Sequence, residues 1–166
     1  MKTDVLIVGA GLAGASTAYH LSQSFSGSIL VVERESIPGA HASGRNASLI
    51  LQSVAASPIR KAVAASRKFY ESRTKEFGFR MQGSLLLGEQ SQLEKLRHPD
   101  LIASEYREPS DLCDEIPLLQ GHNFEAALWT PSDGVIDIAA LLQFYLQEAR
   151  NQGVDLWVDC EVAGIQ

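Results

Sequence analysis

The chain has 166 residues, 45% of them hydrophobic, and carries 14 Lys and Arg against 20 Asp and Glu, a formal net charge of −6. That length supports a globular domain with a real core. The acidic balance, with no basic block, excludes a nucleic-acid-binding surface, and no apolar stretch reaches the ~20 residues of a membrane span.

The first predicted element is a strand at Val5 to Val8, a short apolar run rich in β-branched residues. Lys2, Thr3 and Asp4 ahead of it do not fit a signal peptide. Gly9, Gly11 and Gly14 follow at once, spaced GxGxxG. A helix comes next, with Gly14, Ala18 and Leu21 on one face, the first two small enough to let it lie close to a sheet. Ser22 to Ser28 closes that helix, with Gly27 as a turn residue. A second apolar run, Ile29 to Val32, ends in Glu33.

This order has a chemical reason. Gly9 lets the chain turn sharply, Gly11 lets a pyrophosphate approach the backbone, and Gly14 allows close helix–strand contact. The helix N-terminus adds unpaired N–H groups and about half a positive charge. Ala10, Leu12 and Ala13 complete the turn and join the candidate cofactor-binding residues. Glu33 lies 22 residues after Gly11, near the ~20 expected for the acid that holds an adenosine ribose. Its charge repels a 2′-phosphate, so a dinucleotide without one is favoured. GxGxxG alone is a weak signal. Strand, helix, second strand and acid around it favour a binding turn over an α/β turn that binds nothing.

Residues 34 to 48 form a polar loop with a turn at Pro38-Gly39. Ser43, Gly44, Arg45 and Asn46 put a hydroxyl, a free backbone, a cation and an amide in four residues, able to contact a pyrophosphate and a polar ring system. On spacing alone a solvated loop is the simpler reading. Pro58 to Phe77 is a helical stretch with Ile59, Val63, Phe69 and Phe77 among its apolar positions. Met81 to Leu87 reads as a strand with a glycine bend, and Ser91 to Leu96 as a short helix capped by Ser91, with Glu94 in its first turn. Ala126 to Trp129 is a strand. A turn at Asp133-Gly134 brings Asp137 to the N-cap of a helix whose apolar face is Leu141, Leu142, Tyr145, Leu146 and Ala149, ended by Gly153. Cys113 and Cys160 are far apart and read as reduced thiols of a cytoplasmic protein. His20, His41, His98 and His122 are scattered, and no metal-ligand cluster, repeat or low-complexity segment is expected.

GAGLAGASTAYHL, with VVERE and PGAHASGRNAS after it, resembles the flavin-dependent D-amino-acid oxidase and glycine oxidase family, and within it the D-arginine-type dehydrogenases of D-amino acids. In that family the serine/glycine/arginine loop runs beside the FAD pyrophosphate towards the flavin ring, so the resemblance implies FAD rather than NAD. It also covers Met81 to Leu87 as a substrate-domain strand, Asp111 to Ile116 before Pro117 as a short acidic helix, and residues 126 to 166. Val154 to Val158 is then the third parallel strand of the nucleotide sheet. The implied fold is α/β: a Rossmann-like FAD-binding βαβ unit plus the beginning of a mixed-sheet substrate domain, a truncated GR2-type flavoprotein fold. The implied domains are 1–80 for FAD binding, 81–130 for part of the substrate domain, and 131–166 for the return helix and strand.

The resemblance implies an FAD-dependent oxidoreductase passing a hydride from the substrate Cα of a D-amino acid or related amine to flavin N5. The imine then hydrolyses to a 2-oxo acid and ammonia. Gly9, Gly11 and Gly14 cradle the pyrophosphate, Glu33 holds the ribose and Arg34 packs by the adenine. Ser43, Gly44, Arg45, Asn46 and Ala47 lie along the pyrophosphate and flavin edge, with Asn46 nearest the ring. His41 is weighed as a covalent flavin attachment point and read as a hydrogen-bonding residue. Leu49, Ile50 and Val54 stand where relatives taking cationic substrates carry histidine or aromatic residues, which makes the pocket edge more apolar. No catalytic acid or base is assigned: hydride transfer needs one less strictly than hydrolysis does, and in relatives the substrate-gripping part lies beyond this stretch.

Relatives continue well beyond the equivalent of Gln166. The missing part supplies a further strand, most of the substrate sheet and the arginine that grips the substrate carboxylate. The chain is therefore expected to be a fragment or one piece of a split enzyme, inactive alone, with an unpaired strand edge that makes it poorly soluble or self-associating. The expected partners are a small amine or amino-acid substrate and the C-terminal half as a separate chain. The expected location is cytoplasmic, with peripheral attachment at the inner face of a membrane as the alternative. Two other readings stay open: a non-catalytic dinucleotide-binding subunit of a heteromeric or split dehydrogenase, and a NAD-dependent reductase, which fits the fingerprint but not the second loop.

Overall fold

The computed structural model describes residues 2–53, 57–97 and 102–164. Val54, His98 and Ile165 lie outside them. Backbone contacts divide the chain into one unit of residues 1–48 with 137–166, and another of residues 49–136. Residues 49–80, grouped with the fingerprint from sequence, thus fall in the second unit.

In the first unit, strands β1 (Val5–Val8), β2 (Ile29–Val32) and β9 (Asp155–Trp157) form a parallel sheet with β2 in the middle. The register runs Val5 to Ile29 through Val8 to Val32, and Leu30 to Asp155 through Val32 to Trp157. All four β2 residues are buried, which explains why that strand reads as an unbroken apolar run rather than an alternating one. Each such side chain contributes roughly 1.5–3 kcal/mol when fully withdrawn from water.

Helices α1 (Leu12–Ser22) and α6 (Ile138–Asn151) pack together. Tyr19 meets Phe144 and Tyr145 at ring-centroid distances of 5.5 and 5.3 Å. The buried face of α1 is Ala15, Ala18 and Tyr19, one residue round from the expected Gly14–Ala18–Leu21 stripe. Gly14 instead meets the glycine turn: a Cβ there would lie 1.9 Å from the Gly9 carbonyl oxygen. Helix α6 begins as expected, with Asp137 accepting from the Ala140 N–H at 3.0 Å, and buries Leu141, Leu142, Tyr145 and Ala149. Gly153, at φ +87°, ends it in the left-handed region.

The second unit holds a small antiparallel sheet of β3 (Leu49–Ile50), β8 (Gly134–Val135) and β4 (Arg80–Met81), and a larger one in which β7 (Ala126–Thr130) pairs with both β5 (Ser84–Gly88) and β6 (Glu105–Arg107). The bend expected between Met81 and Leu87 is real and sends the two halves into different sheets. Gly83 sits at φ +75°, and a Cβ on it would strike the Trp129 ring at 1.9 Å. The helix expected over 58–77 is broken at Arg73 into α2 (Ser57–Ser72) and α3 (Thr74–Phe77), so that Phe77 stacks on Phe69 at 5.6 Å. Helix α4 (Gln90–Leu96) starts from Glu89 with no side-chain cap, and Ser91 lies inside it. Helix α5 (Pro109–Glu115) opens on a proline, whose missing N–H costs nothing at that position.

Asp133, read from sequence as a turn residue, is completely buried. Its Oδ1 accepts from the Gln52 backbone N–H at 2.9 Å and the Gln52 amide at 3.1 Å, and its Oδ2 accepts from the Ser84 hydroxyl. Its backbone carbonyl accepts from Gln82 and Gly83. This one residue joins the segment after β3, the bend before β5 and the turn between β7 and β8.

Candidate functional site

The glycine turn begins where β1 ends. Gly9 adopts φ +97°, a conformation costly for any residue with a side chain, and donates its N–H to the Val32 carbonyl at 2.7 Å. The next N–H, from Ala10, donates to Glu33 Oε2 at 2.8 Å. Glu33 is thus bound to the fingerprint itself. Its other oxygen accepts from the Glu35 N–H at 3.0 Å. Partial burial pushes the Glu33 pKa up. The backbone N–H groups of Glu35, Ala10 and Arg34 outweigh it and hold the carboxyl below its ordinary value. The group is therefore an anion at neutral pH, and each oxygen keeps a further lone pair.

Residues beyond β9 fold back over Glu33. The Cys160 N–H donates to the Glu33 carbonyl at 2.8 Å and the Asp159 N–H to that of Glu35 at 3.2 Å. The result is a groove of ≈230 Å³ lined by Val8, Gly9, Val32, Glu33, Arg34 and the stretch from Cys160 to Val162. Cys160, Glu161 and Val162 were missed in the sequence, where the only signal was an apolar stretch after the third strand.

The 34–48 loop closes on the helix start. A Cβ on Gly11 would lie 3.0 Å from Ser43 Oγ, and that hydroxyl accepts from the Leu12 N–H at 2.9 Å. The space that glycine leaves is used here by Ser43, which caps α1 from 31 residues away because Gly11 cannot do so itself. Gly44 lies close to Gly39: a Cβ on it would be 2.9 Å from the Gly39 carbonyl oxygen. Asn46 ties its amide to the Ser43 carbonyl and accepts from the Ser48 N–H at 2.7 Å, so its side chain builds the turn in which Ser48 adopts φ +57°. Arg45 and Ala47 are exposed, as is Ala13 in the first turn of α1. Arg34 and His41 meet at one carboxylate: Glu35 Oε1 lies 3.0 Å from the Arg34 guanidinium and 2.8 Å from His41 Nε2. That pairing holds the Glu35 carboxyl below its ordinary pKa, the His41 contact first. A second groove, of ≈380 Å³, lies between this loop and the start of α6, with Ser43, Asn46, Ser48 and Asp137 among its polar walls.

A parallel strand–glycine turn–helix–strand with an acid at its end is a dinucleotide-binding site in build. The residues also fit such a ligand chemically: a charged carboxylate in a groove, glycine backbone in place of side chains, and a hydroxyl at the helix start. The FAD dependent oxidoreductase family (DAO) matches residues 4–166, and the chain belongs to it. FAD is accordingly the cofactor, and the NAD reading is set aside. The chain is 28% identical to the mitochondrial pyruvate dehydrogenase phosphatase regulatory subunit of Mus musculus, over 94% of its own length and 19% of that protein. It is 24% identical to sarcosine oxidase subunit beta of Rhodobacter capsulatus, over 99% of its length and 44% of the relative. Its fold matches L-proline dehydrogenase from P. horikoshii with a TM-score of 0.82 and 21% identity, covering 99% of this chain and 46% of that one. The chain thus spans less than half the length of these relatives. Among the described residues, no helix is long and apolar enough to cross a membrane.

Proposed function

We propose that this chain is the FAD-binding portion of an oxidoreductase that oxidises the CH–NH bond of an amino acid or related amine, with D-amino acids as the substrate class. Sarcosine oxidase and L-proline dehydrogenase, by their names, act on an amino acid or related amine, and this supports the CH–NH class rather than the D configuration. When bound, FAD supplies the acceptor for a hydride from the substrate Cα, and the resulting imine hydrolyses to an oxo acid and ammonia. The work of this chain is to bind and orient. The backbone at Gly9 and Gly11 and the start of α1 face the pyrophosphate, and Gly14 lets the helix close on that turn. Glu33 accepts from the adenosine ribose, with Arg34 beside the adenine. Ser43 to Ala47 run along the pyrophosphate and the flavin edge, and Asn46 fixes that loop's shape. His41 Nε2 donates to Glu35 Oε1 at 2.8 Å, which supports hydrogen bonding rather than covalent attachment.

The observation that carries this reading is that Glu33, tied to the glycine turn through the Ala10 N–H, lines the groove. The test is an FAD titration by flavin fluorescence. Glu33→Ala weakens binding by about 1–3 kcal/mol, the worth of charge-assisted hydrogen bonds. Unchanged affinity would falsify the ribose assignment.

A second reading is a non-catalytic dinucleotide-binding subunit. It is favoured by two relatives that are named as subunits, one of them regulatory. Anaerobic bleaching of bound flavin by D-amino acids supports the enzyme; bound flavin that no amine bleaches, even in the assembled complex, supports the subunit.

A further inference from the structure

Glu35 and His41 line neither of the two grooves described above. Glu35 is nevertheless bonded to the walls of both. Its N–H donates to Glu33 Oε1 at 3.0 Å and so helps to fix the carboxylate that faces the first groove. Its carbonyl accepts from the Asp159 N–H at 3.2 Å, on the segment that passes over Glu33. Asp159 turns there with φ +52°, a left-handed conformation that a residue with a side chain keeps where its surroundings hold it. The Glu35 carboxylate makes the remaining contacts. Oε1 accepts from Arg34 Nε at 3.0 Å and from His41 Nε2 at 2.8 Å.

The His41 contact reaches further. The His41 carbonyl accepts from the Gly44 N–H at 3.0 Å, which closes the short turn of Ala42–Gly44. That turn carries Ser43, whose hydroxyl accepts from the Leu12 N–H at the start of α1. A path of hydrogen bonds and one short turn thus runs from Glu33 through Glu35, His41 and Ser43 to the helix start, and Arg34 hangs from the same oxygen as His41. Both ends of the path belong to the proposed cofactor site, while its middle faces neither groove. The side chains of Glu35, Arg34 and His41 are 38%, 55% and 56% exposed. Ion pairs so open to water add little to global stability. Removing the Glu35 carboxylate therefore leaves the fold intact, and what it changes is the placement of its partners.

We infer that Glu35 is a positioning residue for the cofactor: without touching it, the Glu35 carboxylate sets where Arg34 and the turn from His41 to Gly44 stand against Glu33 and the start of α1. The inference rests on the FAD-binding reading above and adds to it the residue that ties the two ends of the site together.

The test is an FAD titration of the whole chain by flavin fluorescence, with Glu33→Ala as the reference. Glu35→Ala should raise the FAD dissociation constant about two- to fivefold, the range that exposed charge pairs supply, while the urea midpoint of the cofactor-free chain stays as in the native chain. His41→Ala should weaken binding less, because Arg34 keeps its acceptor. Combining Glu35→Ala with His41→Ala should weaken binding no more than Glu35→Ala does, since the two act through one contact. Glu35→Gln, which keeps an acceptor oxygen, should recover part of the affinity. At saturating FAD, the visible circular dichroism of the bound flavin should differ from native in Glu35→Ala and return towards it in Glu35→Gln, a readout that lost stability alone does not move. Native affinity and dichroism in Glu35→Ala, beside a weakened Glu33→Ala, overturn the inference and leave the cofactor reading standing. A double variant whose losses add overturns it as well. Native affinity in Glu33→Ala instead overturns the ribose assignment, and this inference with it.

Discussion

Glu33 in one unit and Asp133 in the other are both carboxylates held by several donors, and the two differ in what they leave open. Glu33 accepts from the Ala10 and Glu35 N–H groups and still lines a groove. Asp133 accepts from the Gln52 N–H, the Gln52 amide and the Ser84 hydroxyl, and is wholly buried. The donor chemistry is alike. The difference is access: a held carboxylate facing a groove can receive a ligand hydroxyl, whereas one with no open side can only hold the fold. A charged group among hydrogen bonds is therefore no sign of a binding site until its exposure is known.

The largest effect that sharpens this contrast is at Asp133. Asp133→Ala leaves the buried Gln52 N–H without its acceptor, at a cost of about 1–3 kcal/mol, and also removes one acceptor of the Gln52 amide and that of the half-buried Ser84 hydroxyl. Urea unfolding should show a loss of about 3–5 kcal/mol, the scale for breaking a buried polar network. A loss below 1 kcal/mol would mean that the knot is not structural.

Next in size is Gly14→Ala. A Cβ at 1.9 Å from the Gly9 carbonyl oxygen cannot stay, so α1 must move off the glycine turn. Overpacking of this kind costs about 1–3 kcal/mol. FAD affinity should fall together with stability, because the displaced turn is the proposed site. Intact FAD affinity in a destabilised variant would separate the turn from cofactor binding.

The smallest effect is the pH dependence of Glu33. Its folded pKa lies below the ordinary value near 4.5. Its contribution is therefore complete above the unfolded value and is lost as pH falls through the depressed folded value. The stability gap between the native chain and Glu33→Gln should be constant from pH 7 to about 5 and shrink at lower pH. A gap that widens on acidification would reverse the sign of the assignment.

Much of the first unit was legible before any coordinates. GxGxxG between two apolar runs, with an acid 22 residues after Gly11, specifies its geometry locally: Gly9 needs positive φ, Gly14 needs the missing Cβ, and the rise along each strand sets where Glu33 arrives. Asp137 as N-cap and Gly153 as terminator were legible for the same reason, since caps act within one turn. Less was legible in the second unit. Strands of two or three residues such as β3, β6 and β8 are too short to show a period, and their pairing is fixed only by distant partners.

The site was readable in part. The sequence identified the residue types of the 34–48 loop but not their partners. Ser43 caps a helix 31 residues away, Asn46 is spent on its own turn, and Cys160 to Val162 come over Glu33 from the far end of the chain. Local chemistry determined the glycine turn, the position of the acid after the second strand and the helix ends, because backbone conformation and hydrogen bonding there involve near neighbours. Tertiary structure alone decided which carboxylate keeps an open side and what fills the space over Gly11. Those outcomes depend on residues far apart in the chain excluding water, or failing to, at a single point.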